Sequence, residues 1–172
     1  IDTITTGAGA DTVTFNTQTS LANALAARDT ITDFTAGASG DTYDYDGATA
    51  NVTTVVGSTG NSVQAHSATG NLTITAAAEV VNITVEDVAA LTTDGEAVLN
   101  ALVSGTGNSG TITTANAGEV KLITISDGTS TGIYIGAPGA GNTDIAQAEM
   151  ALIATLTGVD NADLVAGNFD IV

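Results

Sequence analysis

Short segments rich in β-branched residues recur along most of the chain, and Gly, Ser and Asn separate them. This is the pattern of β-strands joined by turns. Apolar and polar residues alternate in Glu119–Ser126 and Thr131–Gly136 around Asp127-Gly128, which predicts a β-hairpin. Further strands are predicted at Val52–Val56, Asn71–Thr75, Val80–Val85, Met150–Leu156 and Asn168–Val172.

One segment has the periodicity of a helix. Thr93-Asp94-Gly95-Glu96 has the form of a capping box, in which Glu96 accepts a bond from the Thr93 amide. An apolar stripe follows, and Gly105 ends it. We therefore expect an α-helix over Thr93–Ser104 that packs on the sheet, and Leu21–Ala27 is compatible with a second, short helical turn.

The N-terminal residues repeat with a period of nine. Asp2 and Asp11 are nine positions apart, and so are Ile4 and Val13. Stacking of successive turns would place Ile4 above Val13 in a thin apolar core. Because the chain begins within a repeat, we expect it to be part of a longer protein.

The turn between these repeats has the composition of a calcium site. Gly7 and Gly9 allow positive φ angles, which turn the backbone sharply and aim carbonyl oxygens inward. The carboxylate of Asp11 adds to a set of hard oxygen atoms, which Ca²⁺ prefers. The predicted calcium ligands are Asp2, Gly7, Gly9, Asp11 and Asp29.

This segment resembles the proteins with RTX (repeats-in-toxin) motifs. Residues 6–14 match their calcium-binding nonapeptide G-G-x-G-x-D-x-U-x, with Thr6 in place of the first glycine. The end of an RTX roll has the pattern G-x-D-x-U-x-F, a loop, D-x-I-x-D-F-x-x-G and a further Asp, which is met here by Gly9, Asp11, Val13, Phe15, Asp29, Ile31, Asp33, Phe34, Gly37 and Asp41. The spacer Ala38-Ser39-Gly40 is longer than usual. The resemblance implies a parallel β-roll that binds Ca²⁺, with Asp29 completing its end.

The last third, from about Asp94, is similar to the C-terminal domain of type I-secreted RTX proteins. The matching residues are Leu156-Thr157-Gly158-Val159, Leu164 and Asn168-Phe169. Asp170, followed by Ile171 and Val172, resembles their uncleaved C-terminal export signals. A plain edge strand is the alternative interpretation of this tail.

Charge and composition exclude several classes of function. The 172 residues carry 19 acidic and two basic side chains, for a net charge of −17, which argues against nucleic acid or an anionic membrane as partner. The same acidity favours bound cations, or it serves solubility alone. Without cysteine the chain has no disulfide or Cys-based zinc site. His66, the lone histidine, is expected in a surface loop, and no segment has the length of a membrane span.

Two further aspartates, Asp44 and Asp46, follow the predicted calcium turns and have two possible roles. Asp44 and Asp46 share one face of a strand and Tyr43 and Tyr45 share the other. The two aspartates would either hold a second cation or form an exposed acidic edge that blocks strand pairing.

Together these observations predict a mainly β protein. Residues 1–46 would be the end of a calcium-binding β-roll, and residues 47–172 a β-rich, sandwich-like C-terminal domain with one or two short helices and the export region. Residues 47–93 receive no role. The function expected is that of a non-catalytic C-terminal portion of an extracellular or cell-surface protein from a Gram-negative-type bacterium. Its partners would be Ca²⁺, a type I secretion transporter and other copies of itself.

Two alternatives remain open at this point. The first is a surface-layer, adhesin or ice-binding module, because Thr3-Ile4-Thr5, Thr12-Val13-Thr14 and Thr30-Ile31-Thr32 would stack as ranks of hydroxyls. The second is the C-terminal fragment of an RTX protease or lipase. In that case the catalytic domain would lie upstream, because nothing in these residues assembles a nucleophile, a base and an oxyanion site.

Overall fold

The computed structural model describes residues 2–15, 28–45, 61–103 and 110–171. This part of the chain is mainly β, with several sheets, one α-helix and three single-turn 3-10 helices. Its strands are β1 (Thr3–Ile4), β2 (Thr12–Phe15), β3 (Asp29–Ile31), β4 (Thr42–Tyr45), β5 (Val63–His66), β6 (Leu72–Thr73), β7 (Val80–Ile83), β8 (Ile112–Thr113), β9 (Lys121–Ser126), β10 (Ser130–Gly136), β11 (Asp144–Ile145), β12 (Met150–Thr157) and β13 (Phe169–Ile171). The helix α1 spans Glu96–Ala101, and the 3-10 turns are Gln147–Glu149, Asn161–Asp163 and Ala166–Asn168.

A seven-stranded sheet forms the centre, in the order β1-β3-β12-β10-β9-β7-β5. Its outer strands are parallel to their neighbours, whereas β9, β10 and β12 pair antiparallel. The predicted hairpin is confirmed between β9 and β10. Gly128 adopts a φ of 79°, and Asp127 accepts hydrogen bonds from the amides of Thr129 and Ser130. These bonds fix the turn and with it the register of the two strands.

Two separate cores lie against the two faces of this sheet at its central strands. Neighbouring residues such as Leu122 and Ile123 belong to different cores, as expected when side chains alternate along a strand. The first core includes residues of a three-stranded parallel sheet in the order β13-β4-β2, and the second includes residues of the sheet β11-β8-β6 and of α1. The central strands are therefore buried on both sides, and Val, Ile and Leu dominate them.

The N-terminal strands alternate between two sheets. β1 and β3 pair parallel in the large sheet, and β2 and β4 pair parallel in the small one. Ile4 is consequently paired with Ile31, and Val13 with Tyr43. The expectation that Ile4 stacks above Val13 is wrong, because successive strands contribute to the same core from two different sheets.

The C-terminal strands complete both of these sheets. β12 pairs parallel with β3, and β13 pairs parallel with β4. The predicted strands at Met150–Leu156 and Asn168–Val172 are confirmed as β12 and β13. The predicted boundary between residues 46 and 47 lies outside the described residues, as do Val52–Val56 and Leu21–Ala27.

The helix is confirmed, but it is shorter than predicted and begins differently. Gly95 precedes it, and the predicted capping box at Thr93 is wrong. The carbonyl of Thr93 instead accepts a hydrogen bond from Leu152 of β12, which holds this residue in an extended pairing. The first helical amides are bound by Asp94 and by the hydroxyl of Thr92.

Candidate metal centre at the N-terminal turns

The turn between β1 and β2 has the backbone conformation that its glycines predict. Gly7 has a φ of 93° and Gly9 a φ of 132°, both in the region that side chains disfavour. A Cβ at Gly7 would meet nothing, and one at Gly9 would only approach Asp11 Oδ2 at 4.0 Å. Conformation rather than space therefore requires glycine at these positions.

Asp33 binds the first half of this turn. Its Oδ1 accepts hydrogen bonds from the amide of Thr6 at 2.7 Å and from the Thr6 hydroxyl at 3.1 Å. Its Oδ2 accepts from the amide of Gly7 at 2.8 Å. The bond from Gly7, followed by the bond from Thr6, holds the pKa of Asp33 below its ordinary value.

Asp41 joins two turns from a fully buried position. Its Oδ1 accepts from the amide of Asp11 at 2.9 Å. Its Oδ2 accepts from the amide of Thr35 at 2.8 Å and from the Thr6 hydroxyl at 3.1 Å. With 0% of its surface exposed, Asp41 satisfies donors on both sides and connects the two neighbouring turns.

The long spacer before Asp41 forms a local turn. Gly40 donates to the carbonyl of Gly37 at 3.0 Å, and Asp41 donates to the carbonyl of Thr35 at 2.8 Å. The extra residues are thus absorbed before β4 begins, and Thr42 still pairs with Thr12.

Asp2 and Asp29 lie beside each other at the start of β1 and β3. Asp29 Oδ1 accepts from the amide of Asp2 at 2.7 Å, and the Asp2 carbonyl accepts from Thr30 at 2.9 Å. The Asp29 carboxylate thus binds main chain, while Asp2 is exposed.

Asp11 has the carboxylate that is available to a cation. Its Oδ2 is buried and has no hydrogen-bond partner among the described residues. Its chemistry fits Ca²⁺, which would add the backbone carbonyls of residues 7–10 as further ligands. Within the described residues, no three His, Cys, Asp or Glu side chains come together as a metal site, so carboxylates alone would not complete the coordination.

The structure therefore brings Gly7, Gly9 and Asp11 together in one turn and places Asp2 with Asp29 at the adjoining strand ends. Sequence reasoning missed the turn-binding roles of Asp33 and Asp41. An offset of 27 residues, shared by the pairs Asp33–Thr6 and Asp29–Asp2, is a signal that could have indicated Asp33. It would not have indicated Asp41, which binds Asp11 at a separation of 30.

Asp44 lies on the central strand of its sheet. β4 pairs with β2 on one side and with β13 on the other, so the predicted acidic edge is wrong. Asp44 Oδ2 accepts from the Thr14 hydroxyl at 2.8 Å, and Asp170 is its neighbour on β13. Asp44 Oδ1 is buried without a partner among the described residues, and Asp46 lies outside them.

The lone histidine and one of the two basic residues occupy strands. His66 is on β5 rather than in a loop, and its Nε2 is buried without a hydrogen-bond partner in the described structure. Lys121 is fully buried on β9, 3.6 Å from the carboxylate of Glu119, and donates to the carbonyl of Ala78 at 2.7 Å. Burial lowers the pKa of Lys121, while Glu119 opposes that shift. Lys121 is therefore a buried cation that is paired with a carboxylate and hydrogen-bonded to the main chain.

No protein-family model, no curated protein and no solved structure matches this chain. Among the described residues, no helix is both long enough and apolar enough to cross a membrane.

Proposed function

We propose that the chain is a non-catalytic C-terminal portion of a secreted or cell-surface bacterial protein of Gram-negative type, which Ca²⁺ stabilises and a type I transporter exports. The observation that carries the proposal is the turn between β1 and β2. It combines two positive-φ glycines with a buried oxygen of Asp11 that has no partner within the described ranges, and it joins parallel strand pairs in two different sheets. These are the features expected at the end of a calcium-binding β-roll.

Calcium would act on the charge of the whole chain as well as on one turn. The net charge is −17, and the buried pair of Lys121 with Glu119 neutralises little of it. Mutual repulsion of carboxylates opposes the compact state, and bound cations relieve it. Since the ligands converge only when the turns are formed, the binding free energy of calcium contributes to folding.

This coupling suits export through a narrow channel. In calcium-poor cytosol the acidic turns stay open, so the chain can be threaded from its C-terminal tail. Outside the cell, calcium closes the turns. The tail then has a second role, because β13 pairs with β4 in the folded protein.

Calorimetry tests the calcium proposal. We expect the melting temperature to rise when a chelator is replaced by saturating Ca²⁺, because a ligand at a hundred times its Kd stabilises the folded state by about 2.7 kcal/mol. Asp11→Asn should remove most of this rise. Asp163→Asn, at an exposed aspartate in a 3-10 turn, is the matched control and should retain it. A melting temperature that calcium leaves unchanged in the original protein would refute the proposal.

A further inference from the structure

We infer that an exposed hydroxyl array on β1, β3 and β12 binds the surface of ice. The motif Thr-x-Thr occurs along three adjacent parallel strands, in Thr3-Ile4-Thr5, Thr30-Ile31-Thr32 and Thr155-Leu156-Thr157. Thr5 and Thr32 directly follow the last residues of β1 and β3. Thr3 pairs with Thr30 and Thr30 with Thr155. We call these six threonines the threonine face.

The composition of this face differs from that expected from sequence. Thr12-Val13-Thr14 belongs to β2 in the small sheet and is therefore not part of the threonine face. The third motif of the face comes instead from β12, which follows the N-terminal motifs by more than a hundred residues in the chain. Sequence inspection misses this rank because only the tertiary pairing of β12 with β3 brings it into register.

The middle residues of the motifs orient the threonines outward. Ile31 and Leu156 are fully buried in the first core, and Ile4 packs against them. Side chains alternate between the two faces of a strand, so the flanking threonines lie on the opposite face. Four of them, Thr3, Thr5, Thr32 and Thr157, are exposed, and Thr30 and Thr155 are half-buried.

The array has a regular spacing. Parallel strands lie about 4.8 Å apart, and alternate residues of one strand about 6.6 Å apart. Thr5 Oγ1 and Thr32 Oγ1 are 3.1 Å apart and share a hydrogen bond, which links two ranks. β-Branching restricts each χ1 angle. Hydroxyl and methyl groups are thereby held in a two-dimensional lattice. Thr32 Oγ1 also donates to the carbonyl of Ile4 at 3.2 Å, so Thr5 donates to Thr32, and the two hydroxyls remain acceptors for ordered water.

The chemistry of the face favours ice over other occupants. Its six threonines include no aromatic ring on which a sugar could stack. Arg28, two residues before Thr30, is an exposed basic side chain at the end of the array. A second copy of the chain would bring another −17 charges close to the first. At the border of the face, Ser130 of β10 pairs with Thr157 and adds a hydroxyl. Gly132 pairs with Thr155, and the side chains of Tyr134, Leu152 and Leu91 pack over it, so the face ends there. A regular hydroxyl surface is complementary to a lattice of water molecules.

The test is uptake of the labelled protein into a slowly growing ice hemisphere, together with thermal hysteresis, in buffer containing Ca²⁺. The original protein should be enriched in the ice fraction. Thr32→Tyr, which places a large ring in the middle rank, should abolish the enrichment while the melting temperature stays near that of the original protein. Thr12→Tyr, at an exposed threonine of the other sheet, should retain it.

Exclusion of the original protein from ice would overturn the inference, as would equal uptake of the Thr32→Tyr variant. Neither result depends on the calcium response of the melting temperature, so failure of this inference and failure of the proposed function are distinguishable.

Discussion

Aspartates of the N-terminal turns accept hydrogen bonds from main-chain amides of neighbouring turns. Asp29, Asp33 and Asp41 each accept such bonds, at distances between 2.7 and 2.9 Å. Hydrogen bonds to an ionised acceptor are stronger than those between neutral groups. Carboxylates therefore hold together turns that have no regular secondary structure of their own.

The lowered pKa of Asp33 predicts an acid-sensitive contribution to stability. Bonds from Gly7 and Thr6 favour the ionised form, so its folded-state pKa lies below the ordinary value of 3.8. Ionised Asp33 contributes fully to the free energy of unfolding at pH values above 3.8. This contribution is lost as the pH falls through the lower, folded-state pKa, because the unfolded chain takes up the proton first. Asp33→Asn should flatten this part of the curve.

Urea unfolding with chelator present, from about pH 6 to about pH 2, would measure the effect across the range in which carboxylates titrate. Asp163→Asn serves as the control and should leave the pH dependence close to that of the original chain. A curve for Asp33→Asn that is parallel to the original at acidic pH would contradict the assignment.

A single methyl group added at Gly40 is predicted to clash with the backbone. A Cβ at this position would lie 2.0 Å from the carbonyl oxygen of Thr35, and backbone atoms cannot yield as a flexible side chain does. Gly40→Ala should thus destabilise the protein by about 1–3 kcal/mol or more, as overpacking does. In Gly167→Ala the added methyl would make only ordinary contacts, 3.6 Å or more from Ala38. Similar unfolding free energies for the two variants would show that the 35–41 turn adapts.

The sequence was sufficient to predict the chemistry of the N-terminal turn. It was not sufficient to predict which residues form hydrogen bonds with that turn. The glycine turn and its aspartate follow from the nine-residue register. The partners Asp33 and Asp41 depend on which strands become neighbours, and the offset of 27 changes to 30 because the spacer before Asp41 is longer. Local composition does not contain that information.

At the scale of elements, tertiary pairing decides where strands and helices begin and end. β1, β6, β8 and β11 are two residues long, and such strands have no independent stability. The helix was predictable from its apolar stripe, whereas its first residue was not. Pairing of Thr93 with β12 competes with helix formation and prevails.

The helix is therefore expected to depend on its few main-chain bonds. Leu99 donates to the carbonyl of Gly95 at 3.0 Å and is 6% exposed. Leu99→Pro should cost about 3 kcal/mol or more beyond the loss of the side chain, because it removes this bond and clashes with the preceding turn. Leu99→Ala measures the packing loss alone. Equal unfolding free energies for the two variants would mean that the segment is not helical in solution.

At the scale of the whole molecule, residues distant in sequence complete the N-terminal turns. Asn168 is fully buried, accepts a bond from Gly37 at 2.9 Å, and donates to the carbonyls of Gly37 and Asp41. These contacts span 131 and 127 residues of sequence. The sequence resemblance at each end of the chain indicated two separate parts. It did not indicate that strands of the C-terminal part pair with strands of the N-terminal part.

The tail is therefore expected to serve export and stability in succession, and variants can separate the two roles. Phe169 is 1% exposed on β13, so deleting residues 169–172 removes a core side chain and should cost about 3–5 kcal/mol in addition to any loss of export. Asp170 is exposed, and Asp170→Asn changes the acidic residue of the proposed signal without disturbing the core. This variant should fold with an unchanged melting temperature and be secreted less efficiently through a matched type I system.

A fusion tests the same segment outside the folded protein. Residues 158–172 fused to a passenger should direct its export, and the same fusion with Asp170→Asn should do so less well. Undiminished secretion of both the deletion and the Asp170→Asn variant would show that this segment acts only as the third strand beside β4.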